Sequence, residues 1–189
     1  YGASLTARKA LPDSNREFFV LDLGGGTLCL TQYRSGRELP KAVNRFIATG
    51  GGMQIVAEQI YKAVSKSDMG GQEIRLSGIF AALKACRRKD KEYVTPYCLG
   101  RKNIDISGEI PDGMQSWVDD NPTIKKVLTE TRERLSSGFA VFATGGGFSC
   151  AIIADWISAY VTEDVDTASF EVLDNSANIN VSGMKLLDK

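Results

Sequence analysis

The stretch with the clearest chemical potential is Asp22-Leu23-Gly24-Gly25-Gly26-Thr27. Three successive glycines open backbone conformations that a Cβ forbids. They also let backbone N–H groups converge on an anion, the concave arrangement that binds phosphate. An acidic residue directly before such a turn repels phosphate, and it makes sense if a cation or a water lies between them. A second run, Gly145-Gly146-Gly147, repeats the theme near the far end. Each run follows a short apolar segment, residues 18–21 in one case and 139–144 in the other. Two glycine turns at the ends of two buried strands are the main functional signal of this chain.

Other phosphate chemistries are excluded by pattern. There is no Gly-x-x-x-x-Gly-Lys-Ser/Thr segment, so no P-loop. The dinucleotide fingerprint fails as well, because Thr27-Leu28-Cys29 stands where the third glycine belongs and a strand rather than a helix follows. The chain contains no histidine, which removes histidine-dependent triads and acid–base relays. Its four cysteines, Cys29, Cys86, Cys98 and Cys150, form no Cys-x-x-Cys pair, so a zinc site is not expected. They sit mostly in apolar contexts and fit a reducing compartment.

The elements that must position the two turns can be read from periodicity. Residues 18–21 and 28–33 read as two strands joined by the first glycine turn, with Leu28, Leu30 and Gln32 on one face and Cys29, Thr31 and Tyr33 on the other. Ser35-Gly36 signals a hairpin turn, and residues 39–47 supply a third strand. A third glycine run, Gly50-Gly51-Gly52, opens a helix from Met53 to Val64; such glycines either approach a ligand or allow tight packing. Residues 65–71 read as a linker and residues 79–86 as a short helix. Residues 84–102 carry seven basic side chains against two acidic ones, which reads as a solvated face. Asn121 as N-cap and Pro122 at the first helical position start a helix whose stripe is Ile124, Val127, Leu128, Thr131 and Leu135. Residues 139–143 read as a central strand, with a helix after Gly147 that buries Ile152, Ile153, Trp156 and Ile157. A last strand over 170–173, a polar loop over 174–180 and a short terminal helix over 183–187 complete the order.

Composition bounds the rest. The length of 189 residues suits one domain, or one carrying a smaller inserted lobe. With 43% hydrophobic and 24% charged residues it is an ordinary globular chain. Lys plus Arg equals Asp plus Glu at 23 each, so no global field steers it toward nucleic acid or an anionic membrane, and neither is expected as a direct partner. No apolar run approaches the ~20 residues needed to span a bilayer.

The ordered motifs resemble a known superfamily. Asp22 to Thr27 resembles the second phosphate-binding hairpin of the actin-like ATPases, and Phe142-Ala-Thr-Gly-Gly-Gly147 with Ser149 resembles their adenosine motif. Asn180-Val-Ser-Gly183-Met184 resembles the closing segment of bacterial plasmid-segregation actins of the ParM/StbA type, and Tyr1-Gly2-Ala3 the end of the helix before the hairpin. The order and separation of the four segments match the second lobe of such proteins. The opening hairpin and the rest of the first lobe have no counterpart here.

The resemblance implies a ribonuclease H-like α/β lobe: a mixed five-stranded sheet flanked by helices, with a small, mainly helical inserted subdomain. The core is expected over 1–64 and 136–189, and the insertion over 65–135. It implies ATP or ADP with Mg²⁺ as ligands. Asp22 is the implied catalytic residue and holds the metal through water. Gly24, Gly25, Gly26, Thr27, Gly51, Gly52, Gly145, Gly146, Gly147 and Phe148 are the implied nucleotide-binding residues. Implied partners are the absent first lobe, like subunits in a filament and a DNA-bound adaptor, in a bacterial cytoplasm. Many relatives carry Asp where this chain has Cys29, two residues after Thr27. A non-hydrolysing scaffold of the pilus-assembly or cell-division type therefore stays open beside the ATPase. A chaperone or sugar kinase fits less well with the short inserted lobe and the Asn180/Gly183 segment.

Overall fold

The computed structural model describes residues 2–10, 17–35, 39–67, 73–163, 165 and 169–173. Tyr1 and the Asn180–Met184 segment, together with the expected polar loop and terminal helix, lie outside the described residues.

The first glycine turn joins β1 (Glu17–Leu23) to β2 (Thr27–Arg34), and β3 (Lys41–Thr49) pairs antiparallel with β2. On the other side of β1 lie β8 (Val141–Thr144) and β9 (Phe170–Val172), both parallel to their neighbours, giving the sheet order β3-β2-β1-β8-β9. This is the mixed five-stranded sheet expected from the resemblance. Alternation along β1 divides the core into two layers. Phe19, Leu21 and Leu23 enter the larger cluster with Leu28, Leu30, Val141 and Ala143. Phe18 and Val20 enter a smaller cluster on the opposite face with Tyr33 and Phe142. Helix α1 (Gly2–Ala10) covers that second face with Ala3 and Ala7, one turn apart. Small residues at that spacing let the helix approach the aromatic side chains closely.

Helix α2 (Met53–Lys66) buries Val56, Ile60 and Val64 on one stripe against the larger face. Helices α5 (Pro122–Ser136) and α6 (Ala151–Thr162) pack there too, α5 through the stripe read from sequence. Asn121 does occupy the N-cap of α5, yet its side chain makes no cap hydrogen bond there. Its Nδ2 instead donates to the Trp117 carbonyl at 2.9 Å, closing the end of the preceding helix.

Between α2 and α5 the chain is less helical than the sequence pattern implies. Helix α3 (Leu76–Lys84) is followed by two small hairpins, β4 (Arg87–Lys89) with β5 (Glu92–Val94) and β6 (Pro96–Leu99) with β7 (Lys102–Asp105). Helix α4 (Ile110–Asp119) then packs on α2. The basic stretch 84–102 largely forms these hairpins, and its alternation was hidden because β4 is exposed along its whole length. The turns carry the signals in retrospect: Asp90 takes φ 57° and Gly100 φ 61°. The first hairpin docks on α6: the Tyr93 hydroxyl donates to Asp155, and Arg88 stacks over the Tyr93 ring at 5.7 Å.

Candidate functional site

Both glycine turns leave the same edge of the sheet. Strands β1 and β8 are parallel neighbours with Asp22 in register with Thr144, so Gly24 and Gly145 emerge side by side. Gly145 adopts φ 99°, a conformation that disfavours any side chain. A Cβ there would also overlap the Asp22 carboxylate, and would lie 2.5 Å from the Leu23 carbonyl oxygen. This close approach lets the Asp22 side chain lie against the second turn. Partial burial there raises its pKa above the ordinary 3.8.

The first turn has a defined orientation. Gly24 N–H donates to the Thr27 carbonyl at 2.9 Å. The Gly24 carbonyl accepts from Met53 N–H at 2.9 Å, and the Gly25 carbonyl from Gln54 N–H at 3.0 Å. These two carbonyls thus satisfy amides that the N-terminus of α2 would otherwise leave orphaned. In a trans peptide the N–H points opposite to the C=O, and the described chain contains no cis bond. The N–H groups of Gly25 and Gly26 are therefore turned away from α2, toward the exposed side of the turn. Gly25, Gly26 and Thr27 are all exposed.

Gly51 and Gly52 lie behind this turn. Both are buried. A Cβ on Gly52 would strike the Thr27 amide and sit 2.6 Å from the Gly24 carbonyl oxygen, and one on Gly51 would sit 2.9 Å from Ile124 Cγ1. Of the two alternatives for these glycines, the geometry supplies the tight-packing one. Trp117 secures the loop from below, its Nε1 donating to the Gly51 carbonyl at 3.2 Å.

The second turn divides its residues in the same way. Gly147 and Phe148 are buried; a Cβ on Gly147 would overlap Leu23 and sit 2.9 Å from Met53 Sδ. Phe148 packs toward Phe170, with ring centroids 6.5 Å apart. The segment Gly146–Ser149 is a 3-10 turn, so α6 begins only at Ala151 and not directly after the glycines. Gly146 and Ser149 remain at the surface of a cavity of 310 Å³, whose other walls include Gly25, Met53, Phe80 and Lys84. The cavity thus joins both glycine turns to one face of α3. Phe80, Leu83 and Lys84 were not readable as site residues, because their i, i+3, i+4 spacing is also that of an ordinary packed helix.

Cys29 is the antiparallel partner of Asp22, and paired residues of adjacent strands point to the same side of the sheet. Cys29 therefore borders Asp22 directly. Cys29 Sγ lies 3.4 Å from Thr31 Oγ1.

The arrangement fits a nucleotide with a hydrated divalent ion. Two outward N–H groups and a hydroxyl can cradle phosphate oxygens. One carboxylate nearby suits Mg²⁺, which keeps several waters and takes one or two carboxylates. A mostly apolar cavity beside the cradle has room for a flat heterocycle.

No family model and no curated protein sequence matches the chain. Solved structures do. A 15-stranded ParM filament from Clostridium botulinum superposes with a TM-score of 0.64 at 12% identity, over 96% of this chain and 49% of that one. The archaeal actin homologue Ta0583 in complex with ADP gives a TM-score of 0.60 at 13% identity, over 99% of this chain and 55% of that one. PilM, from the PilM–PilN type IV pilus biogenesis complex, gives a TM-score of 0.57 at 13% identity, over 98% and 50%. This chain spans about half the length of the structures it resembles, and its fold is that of a single lobe of the actin-like ATPases.

Proposed function

We propose that this chain is the nucleotide-binding second lobe of an actin-like, ATP-dependent filament protein of the plasmid-partition or DNA-segregation kind. The observation that carries this reading is that both glycine turns leave the same end of the sheet, with Asp22 against Gly145 and with Gly25 and Gly146 lining one cavity. The N–H groups of Gly25 and Gly26 and the Thr27 hydroxyl would hold β- and γ-phosphates. Mg²⁺, when bound, would neutralise phosphate charge, with Asp22 holding its water shell. Asp22 also lies where it could orient an attacking water, and phosphoryl transfer depends mainly on such positioning and charge neutralisation. Phe80 and Leu83 would face the base, with Lys84 at its edge. Gly145 and Gly147 act by letting the second turn close on Asp22 and Leu23.

In this reading residues 1–64 and 136–189 form the core of the lobe and 65–135 its insertion. The missing wall of the cleft belongs to a first lobe of the same protein. Like subunits and a DNA-bound adaptor are the further partners, in the cytoplasm; no described helix is long and apolar enough to cross a membrane.

A second reading is favoured by one observation. Cys29 stands opposite Asp22, at the position where the resemblance leads one to expect a second acid. A non-hydrolysing scaffold that holds nucleotide without turnover would tolerate that change, and PilM, solved with a protein partner, has the same fold.

Calorimetry with ATP and ADP, with and without Mg²⁺, on this chain and its Asp22→Ala variant tests the site. Weak binding in the range of ~1 mM, dependent on metal and altered by the substitution, is the expected result. Metal-independent binding that Asp22→Ala leaves unchanged would remove Asp22 from the site. Phosphate release by the full-length protein then separates the ATPase from the scaffold.

A further inference from the structure

A second cavity, of 610 Å³, opens between the C-terminal half of α2 and helix α4, and shares no lining residue with the cavity at the glycine turns. Helix α2 lines it with Gln59, Lys62 and Lys66, spaced along one stripe at i, i+3 and i+7. Helix α4 and its two caps line it with Glu109, Asp112 and Asp120. The two walls are fixed against each other by a close backbone approach. A Cβ on Gly113 of α4 would sit 2.7 Å from Ile60 Cα of α2.

Gln59 sets the chemistry of the groove. Only 7% of the residue is exposed, and its carboxamide makes no hydrogen bond with any described residue. Arg134 Nε is the one side-chain nitrogen or oxygen among the described residues that is both shut off from solvent and unpartnered. The unpartnered Gln59 carboxamide is therefore open to the cavity it lines. Lys62, Lys66, Asp112 and Asp120 stand exposed around it, with Glu109 half-buried. None of these five charges forms an ion pair with a described residue, although the two signs line facing helices of one groove. Three carboxylates disfavour a lone anion, and two ammonium groups disfavour a lone cation. Among the described residues no group of three acidic or sulfur side chains is placed to hold a metal ion. A ligand of both signs that also offers an amide fits all three groups of side chains.

We propose that the groove between α2 and α4 binds an extended segment of a partner protein, about three residues long, that carries one basic and one acidic side chain. A carboxamide both donates and accepts, so Gln59 pairs with a backbone peptide group of the segment. The acidic side chain of the segment meets Lys62 and Lys66, and the basic one meets the carboxylates of α4. From Gln59 to Lys66 the helix advances about 10 Å at ~1.5 Å per residue. That is the span of about three extended residues at ~3.4 Å each. The exposed charges select the partner by sign and register. The buried amide rejects a ligand that would leave it unpaired. The site does not depend on what the cavity at the glycine turns binds.

The probe is a pool of N-acetylated tripeptide amides with lysine or arginine at one end and aspartate or glutamate at the other, in both orders. Added to the isotope-labelled native chain, it should shift amide resonances of α4 and of the C-terminal half of α2, with a dissociation constant on the order of 1 mM. The resonances of Gly25 and Gly146 should stay in place. A pool with alanine at both ends should bind about tenfold more weakly. Gln59→Leu, close in volume but without donor or acceptor, should weaken the charged pool about tenfold without lowering the melting temperature. Asp112→Lys, at an exposed position, should weaken it through charge alone. If Gln59→Leu fails to fold, Asp112→Lys decides. No shift in α2 or α4 at about 10 mM peptide would overturn the proposal. So would equal affinity for the alanine pool, or folded Gln59→Leu and Asp112→Lys chains that bind as the parent does. Shifts that follow protein concentration and not peptide would assign the groove to a second copy of this chain, and would overturn it too.

Discussion

Gly145 and Asp22 illustrate how a backbone conformation and a neighbouring side chain specify one another. Gly145 has a positive φ and also lies against Asp22, so Gly145→Ala meets two penalties. Its expected cost is about 1–3 kcal/mol in a urea unfolding experiment. Gly26→Ala provides the contrast. Nothing lies within 4 Å of a Cβ placed there and its φ is not positive, so it should fall within about 0.5 kcal/mol of the parent. Nucleotide binding is the property that Gly26→Ala would alter, by crowding the exposed face of the turn.

Asp22 also sets a pH dependence. Burial raises its folded-state pKa above 3.8, so the native chain holds this proton more tightly than the unfolded chain. Stability then falls as pH rises from the ordinary carboxylate value through the raised one, and stays reduced above it. Asp22→Asn removes this contribution. Melting curves without ligand from pH 3 to 7 should therefore show the variant gaining on the parent as pH rises. A variant that loses ground to the parent between pH 3 and pH 7 would contradict the sign.

At the scale of elements, the hairpin turn is held from behind. The Gly24 and Gly25 carbonyls cap α2, Gly52 packs under the turn, and Trp117 of α4 hydrogen-bonds the Gly51 carbonyl. Trp117 is fully buried. Trp117→Phe keeps most of the packing but strands a buried carbonyl, at an expected cost of about 1–3 kcal/mol. Trp117→Ala adds a cavity and should cost about 3–5 kcal/mol. Both are read from urea midpoints, and the gap between them separates the hydrogen bond from the packing. The strands and most long helices were legible because burial on one side imposes a period on the sequence. The helix over 53–64, the stripe from Ile124 to Leu135 and the apolar run of β8 carry that period plainly. The two hairpins over 87–105 were not legible. Their strands have three or four residues and are largely exposed, so no alternation of buried and exposed positions marks them.

At the scale of the molecule, the cradle is open on one side. Gly25, Gly26 and Thr27 are exposed, and the chain spans about half the length of the structures it resembles. A phosphate held by one wall is solvated on the other, which weakens every charge interaction with it. This chain by itself is therefore expected to show no steady phosphate release above buffer in a coupled assay with ATP and Mg²⁺. Sustained turnover by the pure chain would show that the cleft needs no second wall.

The sequence by itself determined the two glycine turns, the acid beside the first of them, the strand-and-helix order around them and the exclusion of P-loop and histidine chemistry. These are local properties: glycine freedom, side-chain type and hydrophobic period act over a few neighbouring residues. Only the tertiary structure decided which glycines face the cavity and which pack behind it. Gly51, Gly52 and Gly147 look the same as Gly25 and Gly146 in a sequence, and differ only in what would meet their missing side chains. The same holds for Phe80, Lys84 and Cys150, brought to one cavity from α3 and the start of α6. It holds too for Cys29 opposite Asp22. Such pairings depend on how strands register and how helices pack, and that is settled by burial of the whole core rather than by any one segment.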